Sequence, residues 1–221
     1  MKTANTTVTI TKEQLAPMPL VEYSSPITVI DTPQAEAEAL TRIRRHPVVG
    51  FDTETRPSFR KGHPNKVALM QVSTDEESFL FRLNRLGFSQ PMKEFVEDAD
   101  TLKVGLSLKD DFHVMHRNSD FEPRGFIDLQ KIVTQWRISD TSLQKIYGIL
   151  FGRRISKGQR LSNWEASELT PAQQRYAAID AWACLVIYRH LTQGLFDPEA
   201  SLYLTEITPQ QPSQTPQQTP Q

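Results

Sequence analysis

The chain has 221 residues, enough for one domain of ordinary to large size. Lys and Arg number 25 against 26 Asp and Glu, a formal net charge of −1, so any site for a polyanion must be a local patch offset by acid elsewhere. The single cysteine, Cys184, excludes an internal disulfide framework and a multi-cysteine zinc site, and no apolar run approaches the roughly 18–20 residues that span a bilayer. The N-terminus carries no apolar signal-peptide core, so a soluble, cytoplasmic protein without membrane attachment is expected.

Residues 1–26 are mixed in character and read as an N-terminal extension, with a short helix around Thr11 to Leu15. Ile27 to Ile30 reads as a strand, and Gln34 to Arg45 as an amphipathic helix with Ala35, Ala39, Leu40 and Ile43 at helical spacing. Val48 to Thr53, Lys66 to Ser73 and Ser78 to Arg82 read as strands, the last two joined by a polar turn at Thr74 to Glu77. Pro91 to Asp98 reads as a helix, Lys103 to Leu106 as a strand, and Asp110 to Arg117 as a helix. From Asp128 onward helices dominate, over Leu129 to Trp136, Ser142 to Phe151 and Pro171 to Leu191. That order predicts an α/β domain over 27–207, with a sheet that is parallel in one part, antiparallel in another, and covered by helices. Residues 208–221 contain only Thr, Pro, Gln and Ser, and are expected to form a disordered tail.

Acidic residues fall in three places where packing alone does not ask for them. Along Val48 to Glu54, side chains alternate, so Asp52 and Glu54 leave one face of the strand. Between Ala177 and Ile187 the last long helix is apolar nearly all round, and Asp180 interrupts it one turn after Tyr176. Lys103 to Phe112 runs from strand into helix with Asp110 and Asp111 in the first turn. Each has a plain reading: a polar strand end, a buried Asp–Arg or Asp–Tyr pair, and acids favoured at a helix start. Taken together, four carboxylates converging on one point would repel strongly unless cations sat between them. Hard oxygen ligands suit Mg²⁺ or Mn²⁺, and two such ions about 3.5–4 Å apart form the clamp used in phosphodiester cleavage.

These segments resemble the three motifs of the DEDDy class of 3′–5′ exonucleases, the RNase D and Werner-type exonuclease family. Phe51 to Glu54 resembles motif I; Val104-Gly105 through Asp111 to Met115 resembles motif II; Tyr176 to Ala181 resembles motif III, with Tyr four residues before Asp. Lys66 to Val72 looks like the strand that follows motif I. Ser142-Leu143 through Lys157, Ser162 to Trp164 and Leu169-Thr170 look like the approach to motif III. The resemblance covers about Ile27 to Leu191.

It implies a single exonuclease domain of RNase H-like fold, a mixed sheet flanked by helices. It implies stepwise hydrolysis from a 3′ end, releasing nucleoside 5′-monophosphates with two Mg²⁺ or Mn²⁺ ions. Asp52, Glu54 and Asp180 would hold the ion beside the attacking water, Asp52 would bridge to the second ion, and Asp111 would complete the site. Tyr176 would orient or help deprotonate the water. Of the adjacent acids, Asp111 matches the motif through the following Phe112, Val114 and Met115, which leaves Asp110 a structural acid at the helix start. The partner would be single-stranded or 3′-ended nucleic acid, DNA or RNA.

Basic residues flank two of the motifs: Arg56, Arg60, Lys61, His63 and Lys66 after the first, and Arg153, Arg154, Lys157 and Arg160 before the third. Lys157, Arg60 and Lys66 are the expected backbone contacts, and Phe59 is a loop anchor or a base-stacking ring. Trp164, Cys184, His113, His116 and His190 read as structural or exposed. The alternatives are a catalytically silent nucleic-acid-binding module on the same fold, which would be expected to lose carboxylates, and an unrelated metal-dependent phosphohydrolase, which would need neither Tyr176 nor the basic flanks.

Overall fold

A computed structural model describes residues 5–58 and 65–207. In chain order the elements are β1 (Thr6–Val8), α1 (Lys12–Leu15), β2 (Ile27–Ile30), α2 (Pro33–Ile43), β3 (Val48–Thr55), β4 (Val67–Ser73), β5 (Ser78–Phe81), α3 (Leu83–Leu86), α4 (Gln90–Val96), β6 (Leu102–Gly105), α5 (Leu108–Met115), β7 (Phe126–Asp128), α6 (Leu129–Ile132), α7 (Leu143–Phe151), α8 (Pro171–Thr192) and β8 (Leu204–Glu206). Every element expected from the sequence is present within a few residues of its expected bounds. The expected helix over Leu129 to Trp136 is split: α6 gives way to a 3₁₀ turn over Val133–Trp136.

Six strands form one mixed sheet in the order β2-β5-β4-β3-β6-β7. The β5-β4-β3 centre is antiparallel, whereas β2 joins β5, β6 joins β3 and β7 joins β6 in parallel. Alternation in β3 sends Val49 and Phe51 to one face, where they pack with Leu40, Ile43, Met92 and Phe95 of α2 and α4. It sends Gly50, Asp52 and Glu54 to the other face, which α8 covers.

α8 begins with the reciprocal cap that Thr170 and Gln173 announce, and Pro171 occupies its first turn. Its approach to the sheet is unusually close. A Cβ at Gly50 would lie 1.9 Å from the backbone oxygen of Ala181, so only glycine fits at that position. Small residues of α8, Ala177, Ala178 and Ala181, are fully buried along the contact, and the Ser73 hydroxyl donates to the Ala178 carbonyl.

The segment before Ile27 packs onto this body. β1 pairs antiparallel with β8, Thr6 opposite Glu206, and Val8 and Ile10 are buried beside Val133, Ile138 and Ile187. The sequence expectation of an extension made no provision for this packing. The expected tail at 208–221 lies outside the described residues. Among the described residues, no helix is long and apolar enough to cross a membrane.

Candidate functional site

The acids that the sequence singled out meet where the middle of α8 crosses the end of β3. Carboxylate oxygens of Asp52, Glu54 and Asp180 all lie within 4.8 Å of one another. Each arrives for a local reason. Strand alternation aims Asp52 and Glu54 at α8, and the Gly50–Ala181 contact presses the preceding residue of the helix, Asp180, down onto them.

Asp111 stands just outside this trio. It accepts a hydrogen bond from the Thr53 hydroxyl, and its charge still bears on Asp52 and Glu54. Its position is set by the junction of β6 and α5. Ser107 there adopts a left-handed backbone, φ 64°, and the Asp128 carboxylate accepts from the amides of Ser107 and Leu108 at 3.1 Å each. Asp110 instead is exposed and accepts from the Ser107 hydroxyl at 3.0 Å, consistent with a helix-start role. Thr53 and Asp128 escaped the sequence reading. Thr53 could have been noticed as the one hydroxyl inside the acidic strand end.

Burial raises every one of these carboxyls, and the charges of the others raise Asp52 and Glu54 further. Burial drives Asp52 upward, with the charges of Asp111, Asp180 and Glu54 added. Glu54 is pushed up to about 9 by burial, then by Asp180 and Asp111, against a partial offset from the Arg160 guanidinium. Asp111 rises to about 7 through burial, opposed by the Thr53 hydroxyl. Asp180 also rises to about 7 through burial, opposed by its hydrogen bond with Tyr176. Burial and the charges of Asp180 and Glu54 likewise hold the proton on the Tyr176 phenol.

Such a cluster has the donor set of a hard divalent cation. Two oxygens on opposite sides of a Mg²⁺ stand about 4.2 Å apart, so a spread of up to 4.8 Å closes on an ion with small side-chain movements. A bound cation also reverses the electrostatics, because it favours the ionised carboxylates that burial disfavours.

The basic residues divide. Arg160 is exposed, and its charge reaches Glu54. Lys157 lines a separate cavity with Lys12, Asp140, Ser142 and Lys145, and Lys66 lines another with Asn84, Phe88, Asn118 and Glu165. Arg56 pairs with Glu165 at 3.1 Å. Arg153 and Arg154 bind the N-terminal segment, Arg153 at the Leu20 carbonyl and Glu22, Arg154 at the Met18 carbonyl. Phe59, Arg60, Lys61 and His63 lie outside the described residues. Trp164 and Cys184 are buried. A cavity of about 240 Å³ opens beside Tyr176, walled by Leu20, Val21, Ile155, Ala172 and Ile179.

The chain is similar to known proteins over most of its length. The family model described as 3′-5′ exonuclease matches residues 27–195. The mouse bifunctional 3′-5′ exonuclease/ATP-dependent helicase WRN is 31% identical over 150 residues, covering 65% of this chain and 11% of the mouse protein, so this chain corresponds to a small part of that relative. The Nibbler EXO domain of Aedes aegypti superposes with a TM-score of 0.68 at 22% identity, covering 82% of this chain and 95% of that domain. Escherichia coli RNase D superposes with a TM-score of 0.67 at 25% identity, covering 76% of this chain and 44% of that one. With the matched model spanning the whole sheet and α8, the chain belongs to the 3′-5′ exonuclease family.

Proposed function

We propose that the protein is a metal-dependent 3′–5′ exonuclease of the DEDDy type that removes nucleoside 5′-monophosphates from a nucleic-acid 3′ end. The observation that carries this reading is the convergence of Asp52, Glu54 and Asp180 within 4.8 Å, with Tyr176 hydrogen-bonded to Asp180. Asp52, Glu54 and Asp180 would hold one Mg²⁺ or Mn²⁺, and Asp52 and Asp111 a second. When bound, the ions activate the attacking water and stabilise the leaving 3′-oxygen.

The remaining work falls to the chain itself. Thr53 holds Asp111 in a fixed rotamer, so the outer carboxylate is placed before substrate arrives. Tyr176 keeps its proton and directs its hydroxyl at the water, setting the line of attack on the phosphorus. Arg160 approaches Glu54 from the exposed side and meets a phosphate there. The cavity beside Tyr176 receives a base near the 3′ end, with Leu20 and Val21 from the N-terminal segment on its apolar wall and Ser156, Gln159 and Arg175 on its polar one.

The test is incubation with Mg²⁺ or Mn²⁺ and 5′-labelled single-stranded DNA and RNA, beside the Asp52→Ala/Glu54→Ala double variant. A ladder shortening from the 3′ end, absent in the variant and abolished by chelator, is the expected result. No shortening of either strand type with either metal would overturn the reading.

A further inference from the structure

Three buried side-chain polar atoms have no hydrogen-bond partner among the described residues: Gln71 Oε1, Gln71 Nε2 and Trp164 Nε1. Buried polar groups in folded proteins are nearly always paired, so a wholly unpaired carboxamide calls for an explanation. Gln71 lies in the middle of β4 and is completely inaccessible. The register sets it directly opposite Asp52 of β3. Residues so paired leave the sheet on the same face with Cβ atoms about 4.5–5.5 Å apart, within reach of a long side chain. Its neighbours on that face are Leu69 two residues away and Leu80 opposite it on β5, which is the apolar lining that packing alone selects. Trp164 belongs to the same buried cluster as those two leucines and Ala177 of α8, so a second unpaired polar side chain lies within that cluster.

We propose that Gln71 is a positioning residue for the acidic cluster. With a cation bound, its Nε2, unpaired in this structure, donates to the Asp52 carboxylate and holds that group in the orientation in which Asp52, Glu54 and Asp180 close together on the ion. The inference rests on the reading of the cluster as a cation site. A carboxamide suits the task because it donates without adding a negative charge to the carboxylates already present, and because it is carried, fully buried, on a central strand. The cost is a polar group left unpaired whenever Asp52 is turned elsewhere.

Gln71→Met keeps the length and bulk and removes both polar atoms; Gln71→Leu provides a second apolar variant. Metal-free thermal stability, Mn²⁺ affinity by calorimetry and the cleavage rate against Mn²⁺ concentration would be measured for both and for the wild type. The expected result is unchanged or higher metal-free stability together with Mn²⁺ affinity about 10–100-fold weaker, and cleavage that recovers in part at high Mn²⁺. Affinity equal to wild type in either folded variant would overturn the proposal. So would a loss of affinity that merely follows a loss of metal-free stability, since that is how a core-filling residue behaves. A wild type that cleaves and binds Mn²⁺ beside indifferent variants removes this inference alone; a wild type that binds no Mn²⁺ removes the cation reading with it.

Discussion

Gly50→Ala tests the idea that one backbone contact builds the site. The added Cβ would stand 1.9 Å from the Ala181 oxygen and 2.7 Å from its carbonyl carbon, where real Cβ contacts stay beyond 3.0 Å. Neither neighbour is a flexible side-chain tip, so α8 must lift from β3 by about 1 Å, and misplacement on that scale costs on the order of 100-fold in rate. Overpacking of this kind destabilises by about 1–3 kcal/mol, or roughly 2–12 °C in melting temperature for a domain of this size. Because Asp180 rides on the displaced turn while Asp52 and Glu54 stay in the strand, metal affinity should fall further than stability alone accounts for. Thermal melts, Mn²⁺ titration and the oligonucleotide assay on one preparation separate these effects. A variant with wild-type melting temperature, Mn²⁺ affinity and rate would refute the argument that the Gly50–Ala181 contact sets the carboxylate spacing.

Three other outcomes follow from the site. On the proposed role, in which the phenol orients the water and binds no ion, Tyr176→Phe should lower the cleavage rate by about 100-fold or more while leaving Mn²⁺ affinity intact; an unchanged rate would remove Tyr176 from the mechanism. In chelator, stability should fall as pH rises from about 4 to about 9. Glu54 near 9, and Asp111 and Asp180 near 7, keep protons in the folded chain that the unfolded chain has released. Saturating Mn²⁺ should flatten that slope, and a melting temperature that climbed across the window in chelator would contradict the assignment. Arg160→Ala should weaken oligonucleotide binding and reduce its salt slope by about 1, whereas Lys157→Ala should change both less, because Lys157 lines a cavity that the acid cluster does not share. The opposite ranking in fluorescence anisotropy would restore Lys157 as the backbone contact.

The parts of the site legible in the sequence were those whose placement depends on local periodicity. Parity along β3 puts Asp52 and Glu54 on one face, and spacing along α8 puts Tyr176 over Asp180, whatever the rest of the chain does. The choice of Asp111 over Asp110 rested on the pattern of the following residues, and in the structure only Asp111 meets Thr53. What stayed hidden depends on partners far along the chain. β1 and β8 are three residues each and pair across almost the whole sequence, Thr6 with Glu206, so neither carries a periodic signal of its own. β7 is also three residues long, and its evidence is a parallel ladder with β6. The basic flank is uniform in the sequence, yet its arginines and lysine have separate surroundings in the structure. Arg153 and Arg154 turn to the N-terminal segment and Arg160 to Glu54. In the sequence Gln71 is one polar residue in an apolar strand, and only the register shows that it faces Asp52.

The cluster sets two requirements of the fold against each other. α8 is the element that closes the core on its side of the sheet, and the close seat that lets Ala177, Ala178 and Ala181 pack is the same seat that forces Asp180 toward two other carboxyls. Two ionised carboxylates at the outer limit of 4.8 Å repel by about 3.5 kcal/mol at an effective dielectric of about 20, so the metal-free domain carries a penalty beneath α8. It meets that penalty partly by keeping protons on the acids, which is what the raised values of Glu54, Asp111 and Asp180 express. A divalent cation removes the need for those protons. At 100 times its dissociation constant it would also add about 2.7 kcal/mol of stability by mass action. The packing of α8 therefore makes the empty site uncomfortable and the occupied one favourable, and both halves of that statement depend on glycine, not a larger residue, standing at position 50.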